Sequence, residues 1–369
     1  MTAKNKQKKS ATKKVATRSS GATAKLPIYK NYKFYTIIGL SLIVLICAFF
    51  LISMMAIKNP SKTFNSLSVK AFDMPTTDGF SANAFDYDAK TKTFFVAGEV
   101  DSKTQGSPLH LIDSETGALT KSLYLEKVKG EKVVHTGTIT GLAIFENYFV
   151  YVATGESQIY AYKYSEIKNA KGGEIVSLHG TYSLKTDDDF ISAHFLTYHN
   201  YVLYIGENVE QYHPIKSHNI DVDGIVYPGL IVCFNLNSNY PVGISPTPVM
   251  AYSIPANVTG IDFLNERIYL STSSKTSPSK VYEFYDDAFI SDGRYAVLSP
   301  DGEDNVSLYK FTTDCFSKAY TLPMGAQEFI TMDARIYLVF SKTDTFFDIF
   351  SEYKNCLVAY LPALRENTK

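Results

Sequence analysis

The sequence predicts an all-β protein, a β-propeller of five blades that follows a single N-terminal transmembrane helix. Three observations indicate this fold class. One long uncharged apolar run lies near the N-terminus, and the chain after it consists of short apolar and aromatic runs separated by turn residues. Within that second part, a pattern of three strands recurs five times, which is typical of a repeat architecture.

The apolar run predicts the transmembrane helix at residues 34–57. The run contains no charged residue, and Lys33 and Lys58 close its two ends. About 20 apolar residues cross the hydrocarbon core of a bilayer as a helix. A cleaved signal peptide is the alternative, but its apolar core spans only about 7–15 residues before a small-residue cleavage site. Because this run is longer and ends Ser53-Met-Met-Ala-Ile57, we predict an uncleaved anchor in contact with the lipid bilayer.

The charge distribution predicts the orientation of this helix. Residues 1–33 carry ten Lys and Arg and no Asp or Glu, and short basic flanks stay on the cytoplasmic side. The part after residue 58 holds 25 Lys and Arg against 37 Asp and Glu, a net charge of −12. We therefore predict a single-pass cell-membrane protein with a cytoplasmic N-terminus and an extracellular C-terminal domain.

The segments around the helix are predicted from composition. The basic arm 1–33 has no aromatic residue before Tyr29, so it cannot bury a core and should be disordered in the cytoplasm. Without an aromatic platform or a basic folded domain, no nucleic-acid partner is predicted. Residues 58–65 have the composition of a short linker, 66–362 form the ectodomain, and 363–369 are a tail.

The composition of the ectodomain is typical of short strands joined by turns. It contains no Trp, whereas Tyr and Phe total 51 in the whole chain, and its apolar runs are separated by Gly, Asn, Asp, Ser and Pro. No long stretch of helical periodicity follows Ile57. This pattern favours many short strands.

The recurring pattern consists of a short strand, a longer apolar strand and a third strand. The longer strand recurs at residues 93–99, 149–156, 202–207, 267–273 and 335–341. The shorter strands that precede it begin at Ser81, Thr140, Ser192, Thr259 and Ala326, and the third strands begin at Pro108, Gln158, Leu230, Lys280 and Asn355. Four short antiparallel strands per unit, repeated radially, form a β-propeller.

The number of blades and the closure of the ring follow from the spacing. Five units give five blades, but extra strand-like segments near Tyr295 and Val306 leave six blades as the alternative.

The fifth unit has little chain left after its third strand. The strand-like segment Leu67–Phe72 is therefore expected to supply the missing outer strand, because an unclosed ring leaves an exposed edge.

Short motifs in these units resemble a known group. His135-Thr-Gly with Gly141 and Tyr151-Val-Ala resembles a blade signature of secreted or membrane-anchored bacterial β-propellers of the WD-like and lactonase-like kind. Phe195-Leu-Thr-Tyr-His and Thr259-Gly-Ile-Asp-Phe resemble further blades, so the likeness covers most of residues 66–362. Many members of that group have no assigned activity. The resemblance therefore implies the fold and little chemistry.

One face of the predicted ring collects candidate ligand-binding residues. The loops that enter the inner strands and leave the second strands share that face in a propeller, and here they carry Glu99, Glu156, Glu207, His135 and His194 around the channel mouth. Convergent carboxylates bind Ca²⁺ through oxygen ligands or act as acid and base in sugar cleavage. In the alternative interpretation, Gly-Glu ends a second strand and the carboxylate bonds to turn N–H groups. No catalytic residue and no metal ligand set is predicted, and Ca²⁺ is the one cofactor considered.

The remaining His and Cys residues of the ectodomain suggest one loop and one candidate disulfide. The His213-x4-His218 spacing does not match a zinc motif, so residues 207–223 are expected to form a solvated loop. Cys315 and Cys356 both belong near the last unit and are the candidate disulfide pair, since disulfides form outside the cell.

These observations predict a membrane-anchored, non-enzymatic module that binds an extracellular protein or glycan at the cell surface. The alternative function is an extracellular hydrolase or lyase that acts on a carbohydrate or lactone at the channel mouth. Phosphate-binding and nucleophile-elbow motifs do not occur in the sequence, which argues against nucleotide-dependent enzymes and α/β-hydrolases.

Overall fold

The structure is a computed structural model that describes residues 32–102, 104–187, 189–209, 218–273, 277–286, 291–298, 305–342 and 353–360. The predicted tail 363–369 and all but the last two residues of the predicted arm 1–33 lie outside the described residues. The chain divides into two compact units, Met1–Ser53 and Met54–Lys369.

The first unit contains most of a long helix, α1, at Tyr32–Leu67. Its segment Lys33–Ser53 has a mean hydropathy of 2.7 and is long and apolar enough to cross a membrane or to act as a signal sequence. The expected linker at residues 58–65 is helical, because α1 continues to Leu67. In this last stretch, the Phe64 side chain is fully buried.

The second unit is built from mainly antiparallel strands that form five blades. β1 at Ser68–Asp73 joins the fifth blade. The first blade contains β2 at Ser81–Asp88, β3 at Thr93–Glu99, β4 at Pro108–Asp113 and β5 at Leu119–Val128, and the short strand β6 at Val133–Val134 pairs with β5. The second blade comprises β7 at Gly141–Phe145, β8 at Phe149–Ala153, β9 at Gln158–Lys163 and β11 at Gly180–Ser183. Between β9 and β11 the chain forms the short helix α2 at Tyr164–Asn169 and β10 at Ile175–Val176, and β10 pairs with β5 at the edge of the first blade.

The remaining blades follow in chain order. The third blade contains β12 at Phe195–His199, β13 at Val202–Gly206, the separate hairpin β14 at Ile220–Val222 and β15 at Ile225–Tyr227, β16 at Gly229–Asn235 and β17 at Met250–Ile254. The fourth blade contains β18 at Val258–Leu264, β19 at Arg267–Thr272, β20 at Ser279–Tyr285 and β23 at Phe316–Leu322; between β20 and β23 the chain forms β21 at Ser291–Ala296 and β22 at Asn305–Lys310. The fifth blade contains β24 at Ala326–Met332, β25 at Arg335–Phe340 and β26 at Cys356–Tyr360.

The sheet order of the described strands confirms five blades and shows no sixth among them. The predicted extra strands near Tyr295 and Val306 are β21 and β22, and β22 pairs with β17 at the outer edge of the third blade. They extend that blade to six strands instead of forming a separate one. The sequence could not distinguish these possibilities because strand propensity does not determine which sheet a hairpin joins.

The predicted ring closure is confirmed. β1 pairs antiparallel with β26 from Ser68 opposite Tyr360 to Asp73 opposite Cys356. The fifth blade therefore has the order β1-β26-β25-β24, with its outer strand supplied by the segment that directly follows α1.

The core of the ring lies between the blades. The buried apolar residues of the described chain form five clusters, one at each junction between neighbouring blades. The second strands are packed on both sides, so β3 and β8 are apolar runs without alternation, and every residue of β8 is buried. This two-sided burial is the physical reason that these strands were the clearest repeat in the sequence.

Tight turns position the inner strands. In three blades, the first and second strands are joined by two residues with positive φ: Asn200 and Tyr201, Asn265 and Glu266, and Asp333 and Ala334. Two successive positive φ angles match the right-handed twist of a hairpin, and Asn and Asp tolerate the first position. These turns lie at one end of the ring. The loops that follow the second strands lie at the opposite face.

Candidate functional site

The predicted face of the ring carries the three glutamates at related positions. Glu99 ends β3, Glu156 follows β8 and Glu207 follows β13, so each comes at or just after the second strand of its blade. Within the described residues no hydrogen bond joins one of these carboxylates to another. Each has its own partners, and for Glu99 the partner is the Thr138 hydroxyl, which donates to Oε2.

Glu156 is held by a surface ion pair and a tyrosine. Lys127 Nζ lies 2.7 Å from Glu156 Oε1, with both side chains more than a third exposed. The Tyr160 hydroxyl donates to Glu156 Oε2 at 2.6 Å. Burial raises the pKa of Glu156, but hydrogen bonds from Lys127 and Tyr160 outweigh this effect, so the net pKa lies below its usual value. Glu156 is therefore a charged acceptor at neutral pH.

His135 lies beside this pair and is neutral. Its ring meets the Tyr160 ring edge-on, with centroids 4.5 Å apart. The Tyr162 hydroxyl donates to the Glu126 carbonyl, so His135 Nε2, 2.9 Å from the same hydroxyl, is the donor in their hydrogen bond. Burial lowers the pKa of His135 to about 4. The structure thus brings Glu156 and His135 together through Tyr160, but it encloses the imidazole instead of presenting it.

His194 packs against the turn that carries Glu156. Its Nδ1 donates to the Ser192 carbonyl at 3.0 Å, and the Ser192 hydroxyl donates to the Gly155 carbonyl. Gly155 has a φ of +77°, and a Cβ atom there would lie 3.2 Å from His194 Nε2. The half-buried His194 therefore joins the Glu156 side of the face rather than a separate site.

Glu207 is buried in a network with a histidine that the sequence placed in a solvated loop. His218 Nδ1 lies 3.0 Å from Glu207 Oε2, and His218 Nε2 lies 2.9 Å from Asp189 Oδ1. The Leu230 N–H also donates to Glu207 at 3.0 Å, and Leu298 N–H donates to Asp189. His218 and Glu207 are both fully buried.

The charge state of this network follows from its hydrogen bonds. Burial lowers the pKa of His218, but hydrogen bonds to Asp189 and Glu207 outweigh it and raise the pKa to about 9. Burial raises the pKa of Asp189, and the His218 and Leu298 hydrogen bonds more than offset that effect. An imidazolium between two carboxylates is therefore enclosed here, and it fixes three loops to one another. A buried ion pair of this kind is costly to break from one side.

The predicted calcium site and disulfide have separate outcomes. No group of three or more His, Cys, Asp or Glu side chains in the described part of the chain has the arrangement of a metal site. Calcium binding at this face stays a prediction.

The predicted Cys315–Cys356 bridge is absent, because both thiols are free and buried. Cys315 Sγ donates to the Thr312 carbonyl beside the fourth blade, whereas Cys356 opens β26 in the fifth.

The inner strands carry three carboxylates that the sequence analysis did not single out. Asp86 on β2 accepts the Ile144 N–H of the second blade at 2.7 Å. Asp262 on β18 accepts the Thr331 N–H and hydroxyl of the fifth blade. These acids bridge neighbouring inner strands around the central channel.

Glu328 on β24 is the third carboxylate of the channel. It accepts the Phe85 N–H of the first blade at 2.7 Å, and the Leu196 N–H of the third blade lies 3.5 Å away. Burial raises the pKa of Glu328 well above its usual value. A charged residue inside a predicted inner strand was the available signal, because such a residue must find buried partners.

The channel opens near these acids into a small cavity of about 210 Å³. Asp86, Asp262, Tyr198, His199 and Phe263 contribute to its lining. Burial raises the pKa of Asp86 to about 7 and that of Asp262 to about 6. The cavity lies at the turn end of the inner strands, so it is not the channel mouth that the sequence predicted.

No protein-family model matches the chain, and no curated protein matches it. Among solved structures, glutaminyl cyclase from Myxococcus xanthus is 12% identical, with 79% of this chain and 94% of that chain covered and a TM-score of 0.40. U3-55K is 7% identical, covering 80% and 98%, with a TM-score of 0.39. The Cps50 (Swd1) β-propeller domain from Myceliophteria thermophila is 6% identical, covering 80% and 99%, with a TM-score of 0.36. At these scores the likenesses carry no argument about activity.

Proposed function

We propose that this chain is a membrane-anchored binding module whose propeller stands outside the cell. The observation that carries the binding function is the state of the carboxylates on the predicted face. Glu156 is paired with Lys127, and Glu207 is enclosed with His218. Side chains engaged in this way support a folded recognition surface and are poorly suited to exchange protons with a substrate.

The anchor and its orientation are part of the same proposal. Residues 33–53 have the length and hydropathy of a membrane span, and ten basic residues precede Phe34 without an acidic one. α1 leads directly into β1, the closing strand of the fifth blade. A cleaved signal peptide would leave a free propeller, so retention of the helix is part of what must be tested.

The orientation is tested by protease protection of intact cells or protoplasts. An N-terminal epitope tag should survive, and epitopes after residue 58 should be removed. Loss of the N-terminal tag on intact cells would overturn the orientation, and a mature protein that lacks residues 34–57 by mass spectrometry would overturn the anchor.

The ligand is proposed to be an extracellular protein or glycan that binds the loop-bearing face. A photo-crosslinking residue at position 99, which lies on that face, should capture the ligand on living cells. The matched control is position 239, an exposed site between β16 and β17 at the opposite face. Equal capture at both positions, or capture at position 239 alone, would contradict binding at the loop-bearing face.

A further inference from the structure

A second cavity lies between the first and fifth blades, at the turn face of the ring. Its volume is about 520 Å³, within the range of about 300–1,000 Å³ typical of small-molecule sites. Residues of β1, of the β2–β3 and β4–β5 turns and of the β24–β25 turn contribute to it. We call it the blade 1–5 cleft; it lies away from the loop-bearing face and is independent of the function proposed above.

The cleft is lined by three cations although the surrounding domain is acidic. Lys92 is paired with Glu115, which also lines the cleft, at 2.5 Å. Lys70 is paired with Asp73 at 2.8 Å. Arg335 is exposed and has no ion-pair partner among the described residues, although the carboxylate of Asp333 also lies at the rim. The guanidinium is therefore available to an anionic ligand.

Three aromatic rings lie at one side of the same cleft. Phe94 is buried, and the rings of Tyr87 and Tyr337 flank it at centroid distances of 5.0 and 5.8 Å. Both tyrosines are only half-buried, and neither hydroxyl has a hydrogen-bond partner within the described part of the chain. A tyrosine in this state offers an apolar ring and a polar tip together.

We propose that the blade 1–5 cleft binds an acidic sugar, a sugar ring that carries a carboxylate. The planar guanidinium of Arg335 matches a carboxylate in two parallel hydrogen bonds. The rings of Tyr87 and Tyr337 cover the C–H face of the sugar, and their hydroxyls and Lys92 meet its hydroxyl groups.

Two competing occupants are less suited to the cleft. An extended acidic peptide would have to pair with the free edge of β1, and this strand changes register between Lys70 and Phe72. Such a bulge twists an edge away from regular pairing. A simple inorganic anion would use Arg335 but would leave the two tyrosine rings without a contact.

The test measures binding to the full chain in nanodiscs of neutral lipid by calorimetry. The probes are glucuronate, an oligogalacturonate, glucose, inorganic phosphate and an oligoglutamate peptide. We expect both sugar acids to bind and glucose to bind at least tenfold more weakly. The monomer and the oligomer distinguish a free sugar acid from a segment of a longer glycan.

Two variants and one control assign the binding to the cleft. Arg335→Gln should weaken sugar-acid binding at least tenfold, and Tyr337→Leu should weaken it while leaving phosphate binding unchanged. Lys90→Gln, which removes an exposed charge from the same β2–β3 turn outside the cleft lining, should have no effect.

The proposal is overturned if neither sugar acid binds at millimolar concentration, or if Arg335→Gln and Lys90→Gln behave alike. Phosphate binding as tight as that of glucuronate would reduce the cleft to an anion site and refute the sugar assignment. Preferential binding of the oligoglutamate peptide would refute it in favour of a peptide.

Discussion

The closure of the ring by the segment after the helix gives the sharpest test of the fold. A truncated protein that begins near Ser61 retains the last turns of α1 and all of β1. A truncated protein that begins at Asp73 loses both. We expect the first to be monomeric and β-rich and the second to fail to fold cooperatively, because the two losses together are comparable to the stability of a whole domain.

The magnitude follows from the contacts. Phe64 is fully buried and its ring lies 4.7 Å from that of Tyr360 and 5.4 Å from that of Tyr353. Deleting a buried phenylalanine side chain costs about 3–5 kcal/mol. The β1–β26 ladder joins five residue pairs, and at about 1 kcal/mol per net hydrogen bond it contributes on the order of 5 kcal/mol. The sum is close to the about 5–15 kcal/mol by which domains are stable.

Single substitutions separate the two contributions. Phe64→Ala in the protein that begins near Ser61 should lower the melting temperature by about 5–8 °C, since an unfolding entropy near 2.1 cal/mol/K per residue over roughly 300 residues gives about 1.6 °C per kcal/mol. Val69→Ala is the matched control, because Val69 is 68% exposed on β1. Circular dichroism melts and size-exclusion chromatography measure both. Equal melting temperatures for the two truncated proteins would refute the closure, and equal effects of the two substitutions would refute the role of Phe64.

Three further predictions concern the acids. Burial raises the pKa of Glu328 well above its usual value and so favours the neutral carboxyl. Glu328→Gln, which keeps an acceptor oxygen in a similar shape, should therefore cost less than about 1 kcal/mol in urea melts. Glu328→Ala leaves buried N–H groups unpaired and should cost about 2–5 kcal/mol, and equal losses would contradict this. Burial raises the pKa of Asp86 to about 7 and that of Asp262 to about 6, so the folded state holds protons that the unfolded chain has released above pH 4. The stability that these protons contribute is full below about pH 4 and is lost towards pH 7, by up to about 1.4 kcal/mol per pH unit for each group. Replacing both with Asn should remove that slope in melts between pH 4 and 8, and an unchanged slope would show that other groups set it. Glu207→Gln should destabilise by about 3–5 kcal/mol and Glu156→Gln by less than about 1 kcal/mol, because only the first leaves a buried imidazolium underpaired. If Ca²⁺ shifts the melts of neither variant nor of the wild type, calcium does not bind this face.

The strands themselves were predictable because the packing of blades against one another determines which positions of each strand are apolar. Second strands are covered by a blade on each side, so their central positions are apolar without alternation, and this signal survives the low similarity between units. The closing strand was predictable for a related reason, since a fifth unit without an outer strand has to be completed by another part of the chain.

The sequence predicted where the candidate site residues lie in the blades, but not their burial or their hydrogen-bond partners. Residue spacing placed Glu99, Glu156 and Glu207 after second strands, but it could not distinguish an exposed ion pair from a buried network. The sequence analysis expected His218 in a solvated loop. Its burial depends on Asp189, 29 residues earlier in the chain, and on Leu298, which bonds to that aspartate.

The sequence by itself determined the apolar helix, the five repeated units and the strand that closes them, because each depends on the local pattern of apolar residues or on chain order. Only the tertiary structure decided that the β21–β22 hairpin joins the third blade, that α1 continues through the expected linker, and that Arg335 and Tyr87 meet in one cleft. The physical reason is that these features arise from pairing and packing between residues far apart in the chain. Local periodicity records which side of a strand is buried, but not which distant partner covers it.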